Sequence, residues 1–149
     1  MTDRPALLDV NVLVALFDPN HVHHEIAHSW FAGNRARGWA TCPLTEDAFL
    51  RIVSNPSSGR TLDRPAMAAT YLRAFRASGG HQFWPAALSL LDETTFDLSY
   101  VSHRQLTDVY LLGLAHKNGG TLATFDPTVP VKAVVDAAED ELEVIGDRA

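Results

Sequence analysis

Short apolar runs alternate along this chain with stretches whose apolar positions recur every three or four residues. The first pattern reads as buried strands and the second as amphipathic helices. Residues 6–10 form a first strand, and Asn11 reads as the N-cap of a short helix through Phe17. Asp18-Pro19-Asn20 is a turn. Ile26, Ala27, Trp30 and Phe31 mark a helix from Val22 to about Arg37, halted near Gly38. Residues 39–42 read as a second strand, 44–53 as a helix, and 55–59 as a loop. Asp63 can cap a helix that has Pro65 at its first position and runs to Ser78, before Gly79-Gly80.

Gln82-Phe83-Trp84 predicts a third strand, and 86–101 reads as one helix followed by an extended approach. A helix over 104–117 ends at Asn118-Gly119-Gly120, a sequence suited to a left-handed C-cap. Strands over 121–125 and 142–145 complete the series. Strands alternating with helices predict an α/β chain whose mainly parallel central sheet is covered on both faces. Ligands of such sheets bind beyond the carboxyl ends of the strands, near a point where the strand order reverses. With 149 residues and no linker, repeat or low-complexity segment, residues 1–149 are expected to form a single domain.

Four carboxylates interrupt this pattern. Asp9 closes the apolar run 6–8 and Asp126 closes the run 121–125. Glu46 and Asp108 lie in the first turns of two predicted helices, on the stripes carrying Phe49, Leu50 and Val53, and Leu111, Leu112 and Ala115. An unpaired carboxylate buried there is costly or forced to protonate. Convergence around a divalent cation would remove that cost, since hard cations such as Mg²⁺ take oxygen ligands. Such an ion can activate water and stabilise charge on a leaving oxygen, which suffices to hydrolyse a phosphodiester. Crowding of the acids should raise at least one carboxyl pKa, with Glu46 the expected one. Each acid also has a plainer reading: Asp108 as a helix cap, Asp126 as a turn residue, Glu46 as a surface group.

The net charge of −6 at first opposes nucleic-acid binding, but six of the 18 acids crowd the C-terminal segment from Asp136 to Asp147. Between Arg35 and Arg76 there are seven arginines against Glu46, Asp47 and Asp63. A locally basic face is compatible with phosphate binding, as is an ordinary solvated surface. Arg73 and Arg76 share a helix face, and Arg51 and Arg60 flank the loop after the Glu46 helix. These four are candidate contacts to the phosphates of a nucleic acid; the competing expectation places the Arg73 helix in a protein interface. The longest apolar stretch, Ala6 to Phe17, is broken by Asp9 and Asn11 and is too short to span a bilayer. The lone Cys42 reads as a buried thiol, so the expectation is a cytoplasmic protein without membrane association.

The strings Leu7-Leu8-Asp9-Val10-Asn11-Val12-Leu13, Thr45-Glu46, Leu106-Thr107-Asp108-Val109-Tyr110-Leu111 and Leu122-Ala123-Thr124-Phe125-Asp126 resemble the acidic motifs of PIN-domain ribonucleases. The likeness is to the VapC toxins of type II toxin–antitoxin modules in particular, and it extends over nearly the whole chain. Asn20-His21-Val22-His23-His24-Glu25, leading to Ser29-Trp30-Phe31, is also similar to what such toxins carry after the first motif. The resemblance implies a PIN-like α/β/α sandwich and Mg²⁺- or Mn²⁺-dependent endonucleolytic cleavage of RNA by a metal-activated water, leaving a 5′-phosphate and a 3′-hydroxyl. It implies a cognate VapB antitoxin and a homodimer. By position it makes Asp9 and Asp108 the principal metal ligands, with Glu46 and Asp126 completing a catalytic acidic pocket. Asn11 and Thr124 fall at its supporting polar positions.

Other readings stay open beside it. His24 and His28 have an i,i+4 spacing able to hold zinc, but no cysteine accompanies them. A phosphoryl-transfer domain of receiver type wants an adjacent acid pair and a lysine after a late strand, and a dehalogenase-type phosphatase wants an acid at position 11. A PIN-like module that binds RNA or a partner without cleaving is the remaining alternative.

Overall fold

The computed structural model describes residues 2–58 and 64–146. Five short strands, β1 (Ala6–Leu8), β2 (Trp39–Thr41), β3 (His81–Phe83), β4 (Thr121–Thr124) and β5 (Leu142–Val144), form one sheet in the order β3-β2-β1-β4-β5. Every pairing is parallel, with Leu7 opposite both Ala40 and Leu122. The helices are α1 (Val10–Phe17), α2 (His24–Asn34), α3 (Pro43–Val53), α4 (Pro65–Arg76) and α5 (Leu106–Lys117).

Alternation along the strands divides the core. Ala6, Leu8, Trp39 and Ala123 pack on one side with Val12, Phe31, Phe49 and Leu72 from α1 to α4. Leu7, Ala40 and Leu122 pack on the other with Val109 and Leu112 of α5 and with Trp84, Phe96 and Val134 from the connecting segments. Both faces of the central strands are therefore dry, which is why they carry no charged residue and read as mainly apolar runs. The result is a three-layer α/β/α arrangement. Among the described residues no helix is long and apolar enough to cross a membrane.

Several boundaries differ from the sequence reading. Asp9 rather than Asn11 caps α1: its backbone is extended and its carboxylate accepts the Val10 N–H at 2.7 Å. Aspartate caps as well as asparagine, and Leu8 has already ended the strand. Segment 86–101 contains no α-helix; it has irregular backbone and turns, an isolated antiparallel bridge from Phe96 to Val134, and a 3₁₀ turn at Leu98–Tyr100. Asp92 and Asp97 there accept backbone N–H groups from Thr94 and Ser99, local bonds that compete with helix formation. The Asp63 cap lies outside the described residues, and Arg64 occupies the position before Pro65.

The left-handed C-cap after α5 is present. Gly119 has φ +70°, and the Gly119 and Gly120 N–H groups donate to the His116 and Ala115 carbonyls. A side chain on Gly120 would place its Cβ 2.4 Å from the Pro5 carbonyl oxygen and 2.7 Å from the Trp84 ring. Glycine thus lets β4 leave α5 hard against β1, with Thr121 N–H donating to the Pro5 carbonyl. The chain moves from β1 outward through β2 and β3, then returns to β4 on the other side of β1. That reversal opens a crevice at the carboxyl ends of β1 and β4.

Candidate acidic site

Asp9 begins where β1 ends and is 4% exposed. Its N–H still donates to the Ala123 carbonyl of β4, so its position is set by the sheet. Its Oδ1 accepts the Val10 N–H, and its Oδ2 accepts the Thr124 hydroxyl at 2.7 Å. Burial pushes the Asp9 carboxyl above the usual range; those two hydrogen bonds oppose the shift, and Asp126 adds to it. Asp108 enters from the first turn of α5, half-buried, with its pKa raised to about 6. Burial is the main cause, followed by the charges of Asp9 and Asp126. Two strand ends and one helix start therefore bring three carboxylates into one electrostatic group.

Thr124 organises that group. Besides donating to Asp9, its Oγ1 accepts from Asn11 Nδ2 at 3.3 Å and from the Asp126 N–H at 3.1 Å. Asp126 in turn uses Oδ1 to accept the Thr128 N–H and hydroxyl, so it does hold a turn as well. Asn11 Oδ1 is buried and has no hydrogen-bond partner. An orphaned acceptor near carboxylates that repel one another, with Asp9 buried among them, suits a cation or its bound water. Among the described residues no three His, Cys, Asp or Glu side chains form a metal-holding group by themselves. Mg²⁺ commonly takes only one or two carboxylates and fills its shell with water and phosphate oxygens, so the donor set fits.

Glu46 is placed differently. It lies in the first turn of α3, one strand over, and its Oε2 accepts from the Thr41 hydroxyl at 2.7 Å and from Arg76 Nη1 at 3.0 Å. Burial and like charge raise the carboxyl pKa values of Asp9 and Asp108. The Arg76 guanidinium also stacks over Phe83, 5.3 Å from the ring centroid. His81 Nε2 lies 2.7 Å from Thr41 Oγ1. With the Thr41 proton directed at Glu46, that nitrogen carries the donor hydrogen. Burial, then the Arg76 charge, lowers the His81 pKa to about 4. Thr41 and His81 escaped the sequence reading: a threonine ending a strand is ordinary, and His81 stands 40 residues from its partner.

The four candidate arginines also separate. Arg51 forms an exposed i,i+4 pair with Asp47, and Arg60 lies outside the described residues. Exposed Arg73 lines a cleft with Glu46, Leu50, Ala69, Leu72 and Arg76. Arg76 is committed to Glu46. The His24–His28 pair spends one nitrogen per ring on α1 carbonyls, Nδ1 on Ala15 at 2.7 Å and Nε2 on Leu16 at 2.8 Å.

Comparison with known proteins agrees with this architecture. The PIN domain family matches residues 6–134. Ribonuclease VapC39 of Mycobacterium tuberculosis is 44% identical over 135 residues, 90% of this chain and 97% of its own length. Ribonuclease VapC44 of the same organism is 40% identical over 141 residues, 94% of this chain and 99% of its own. Ribonuclease VapC38 is 46% identical over 124 residues, 83% and 86% of the two chains. The crystal structure of M. tuberculosis VapC20, a sarcin–ricin-loop-cleaving toxin, superposes with TM-score 0.60 at 14% identity, covering 89% of this chain and 98% of that one. That last likeness is one of fold. By the match over residues 6–134 and by relatives aligned along nearly their whole length, the chain belongs to the PIN-domain family, among its VapC ribonucleases.

Proposed function

We propose that this chain is an endoribonuclease, the toxin of a toxin–antitoxin pair, hydrolysing RNA phosphodiesters with Mg²⁺ or Mn²⁺ in the crevice between β1 and β4. The observation that carries the reading is the convergence of Asp9, Asp108 and Asp126, with Asp108 raised to about 6. Asp9 and Asp108 would hold the cation, Asp126 and Glu46 completing the acidic pocket. The bound cation supplies an activated water and charge neutralisation at the scissile phosphate. Thr124 and the Val10 N–H favour the ionised form of Asp9 and fix its orientation. Asn11 offers its unused Oδ1 to an attacking water. Glu46, held through Oε2, keeps Oε1 for a further ligand. A VapB-type antitoxin and a second copy of the chain are the proposed protein partners, and the cytoplasm is the proposed location.

The test is direct. Purified protein is incubated with RNA plus Mg²⁺ or Mn²⁺, with and without chelator, and the product ends are sequenced. Chelator-sensitive internal cuts bearing 5′-phosphates are expected. Mn²⁺ should also raise the melting temperature, since it binds the folded site and not the unfolded chain. RNA left intact with both metals, or cleavage that survives chelation, would refute the proposal.

Arg73 is the proposed phosphate contact of the neighbouring cleft. Arg73→Ala should weaken single-stranded RNA binding at low salt and reduce the slope of log K against log salt by about 0.7. The Mn²⁺-induced melting shift should stay as in the parent. Arg76→Ala is a poorer probe because it also strips Glu46 of its ion pair. A changed oligomeric mass or antitoxin affinity with an unchanged salt slope would instead place Arg73 in a protein interface.

A further inference from the structure

The histidine run ahead of α2 takes no part in the chemistry above, and the structure divides it into two tasks. His24 and His28, their ring centroids 4.4 Å apart, satisfy carbonyls in the last turn of α1. They pin the start of α2 to the end of α1, and His23 immediately precedes that fixed point. The His23 ring stacks on Phe125 with centroids 4.5 Å apart and planes inclined by 27°. Phe125 stands between Thr124, which holds Asp9, and Asp126. The His21 ring continues the strip, 5.7 Å from that of His23 and tilted by 42°, and its Nδ1 accepts the His23 N–H at 3.0 Å. His21, His23 and Phe125 are all partly exposed.

A stacked pair serving only the core would be buried. Here His23 is anchored by backbone hydrogen bonds, both rings reach solvent, and Phe125 is joined covalently to Asp126 and to Thr124, which holds Asp9. Carboxylates repel an RNA backbone, so a site built on them gains from an attraction that does not depend on charge. Base stacking on aromatic side chains supplies one and tolerates any base. We propose that His23, backed by Phe125, receives a nucleobase adjacent to the scissile phosphate and thereby positions single-stranded RNA over the acidic crevice. The proposal rests on the ribonuclease reading; His23 acts in it as a positioning residue and not as an acid or base.

The experiment measures binding of two fluorescent RNA strands by anisotropy, in chelator so that neither is cut. One is an ordinary single strand, and the other carries abasic riboses at its central positions. His23→Ala should weaken binding of the ordinary strand roughly 5- to 150-fold, the range for one lost base–aromatic stack. The abasic strand should be bound as by the parent, and His23→Tyr should restore the difference. With metal, His23→Ala should raise KM and leave kcat nearly unchanged. His23→Gln, polar and of similar reach but ringless, should behave as His23→Ala and covers the case in which alanine unfolds the α2 start.

Equal losses on both strands, or no loss on either in a protein that still cleaves RNA, would overturn the stacking assignment alone. So would retained RNA binding with lost antitoxin binding. A parent protein that neither binds nor cleaves RNA removes the ribonuclease reading, and the stacking assignment with it.

Discussion

Asp108→Asn is expected to lose metal-dependent cleavage while raising the melting temperature of the metal-free protein at neutral pH. The loss should be on the order of 100-fold or more, since groups that merely support metal ligands are worth 10–100-fold. The stability effect follows from the raised carboxyl. Asp108 has a folded pKa of about 6 against an ordinary value of 3.8, so the folded state binds the proton more tightly. Stability is therefore lost as pH rises from about 4 to about 6, and the full cost persists above that window. Asparagine removes the charge that Asp9 and Asp126 repel. The melting-temperature gain should vanish near pH 4 and be largest above pH 6; solvent access to a half-buried group keeps it to a few degrees. Saturating Mn²⁺ should reverse the order, because only the parent retains the full site. Asp9→Asn should lose cleavage similarly and still cap α1, asparagine being an equally good cap. Parent-like cleavage in either variant would refute the assignment, and a pH-independent stability difference would refute the electrostatic account.

Thr124→Val should fold and yet lose about 10- to 100-fold in cleavage, the usual effect of losing a group that orients a metal ligand. Valine has nearly the same shape, and position 124 is fully buried, so packing is kept. The change removes one donor and one acceptor that serve three neighbours: Asp9 Oδ2, Asn11 Nδ2 and the Asp126 N–H. Each buried polar group left without a partner costs about 1–3 kcal/mol, so the melting temperature should fall. The Asp9 carboxyl loses a hydrogen bond that holds its pKa down and should move further up. The acidic limb of the pH–rate profile should then shift to higher pH, a displacement that mere loosening would not produce. Thr124→Ser, which keeps the hydroxyl, should retain most activity and the parent pH profile. An unshifted limb in Thr124→Val, or a serine variant as impaired as valine, would refute the role given to this hydroxyl.

Much of the architecture is legible in the chain because hydrophobic periodicity is a local property. The run Ala6–Leu8 is apolar, and Thr121–Thr124 is wholly buried around Leu122 and Ala123, because both faces of those strands are covered. The Gly119-Gly120 stop follows from the left-handed backbone of Gly119 and from the space a Cβ at Gly120 would need. Asp9 and Asp126 stand out for a similar reason: each is a polar residue just past the carboxyl end of a buried strand, where parallel sheets place their ligands. Segment 86–101 misled because local side-chain bonds from Asp92 and Asp97 won over a weak helical pattern.

The sequence by itself therefore determined the layered α/β class, the element order, and the acids that would be costly to bury alone. Only the tertiary structure decided who meets whom. Asn11 reaches Thr124 across 113 residues, Thr124 reaches Asp9 across 115, and Arg76 reaches Glu46 across 30. Those meetings depend on strand order and parallel register, which place β4 beside β1 and carry α4 over α3. For the same reason the raised pKa values fall on Asp9 and Asp108. Desolvation and like charge act through space, and spacing along the chain carries no record of them.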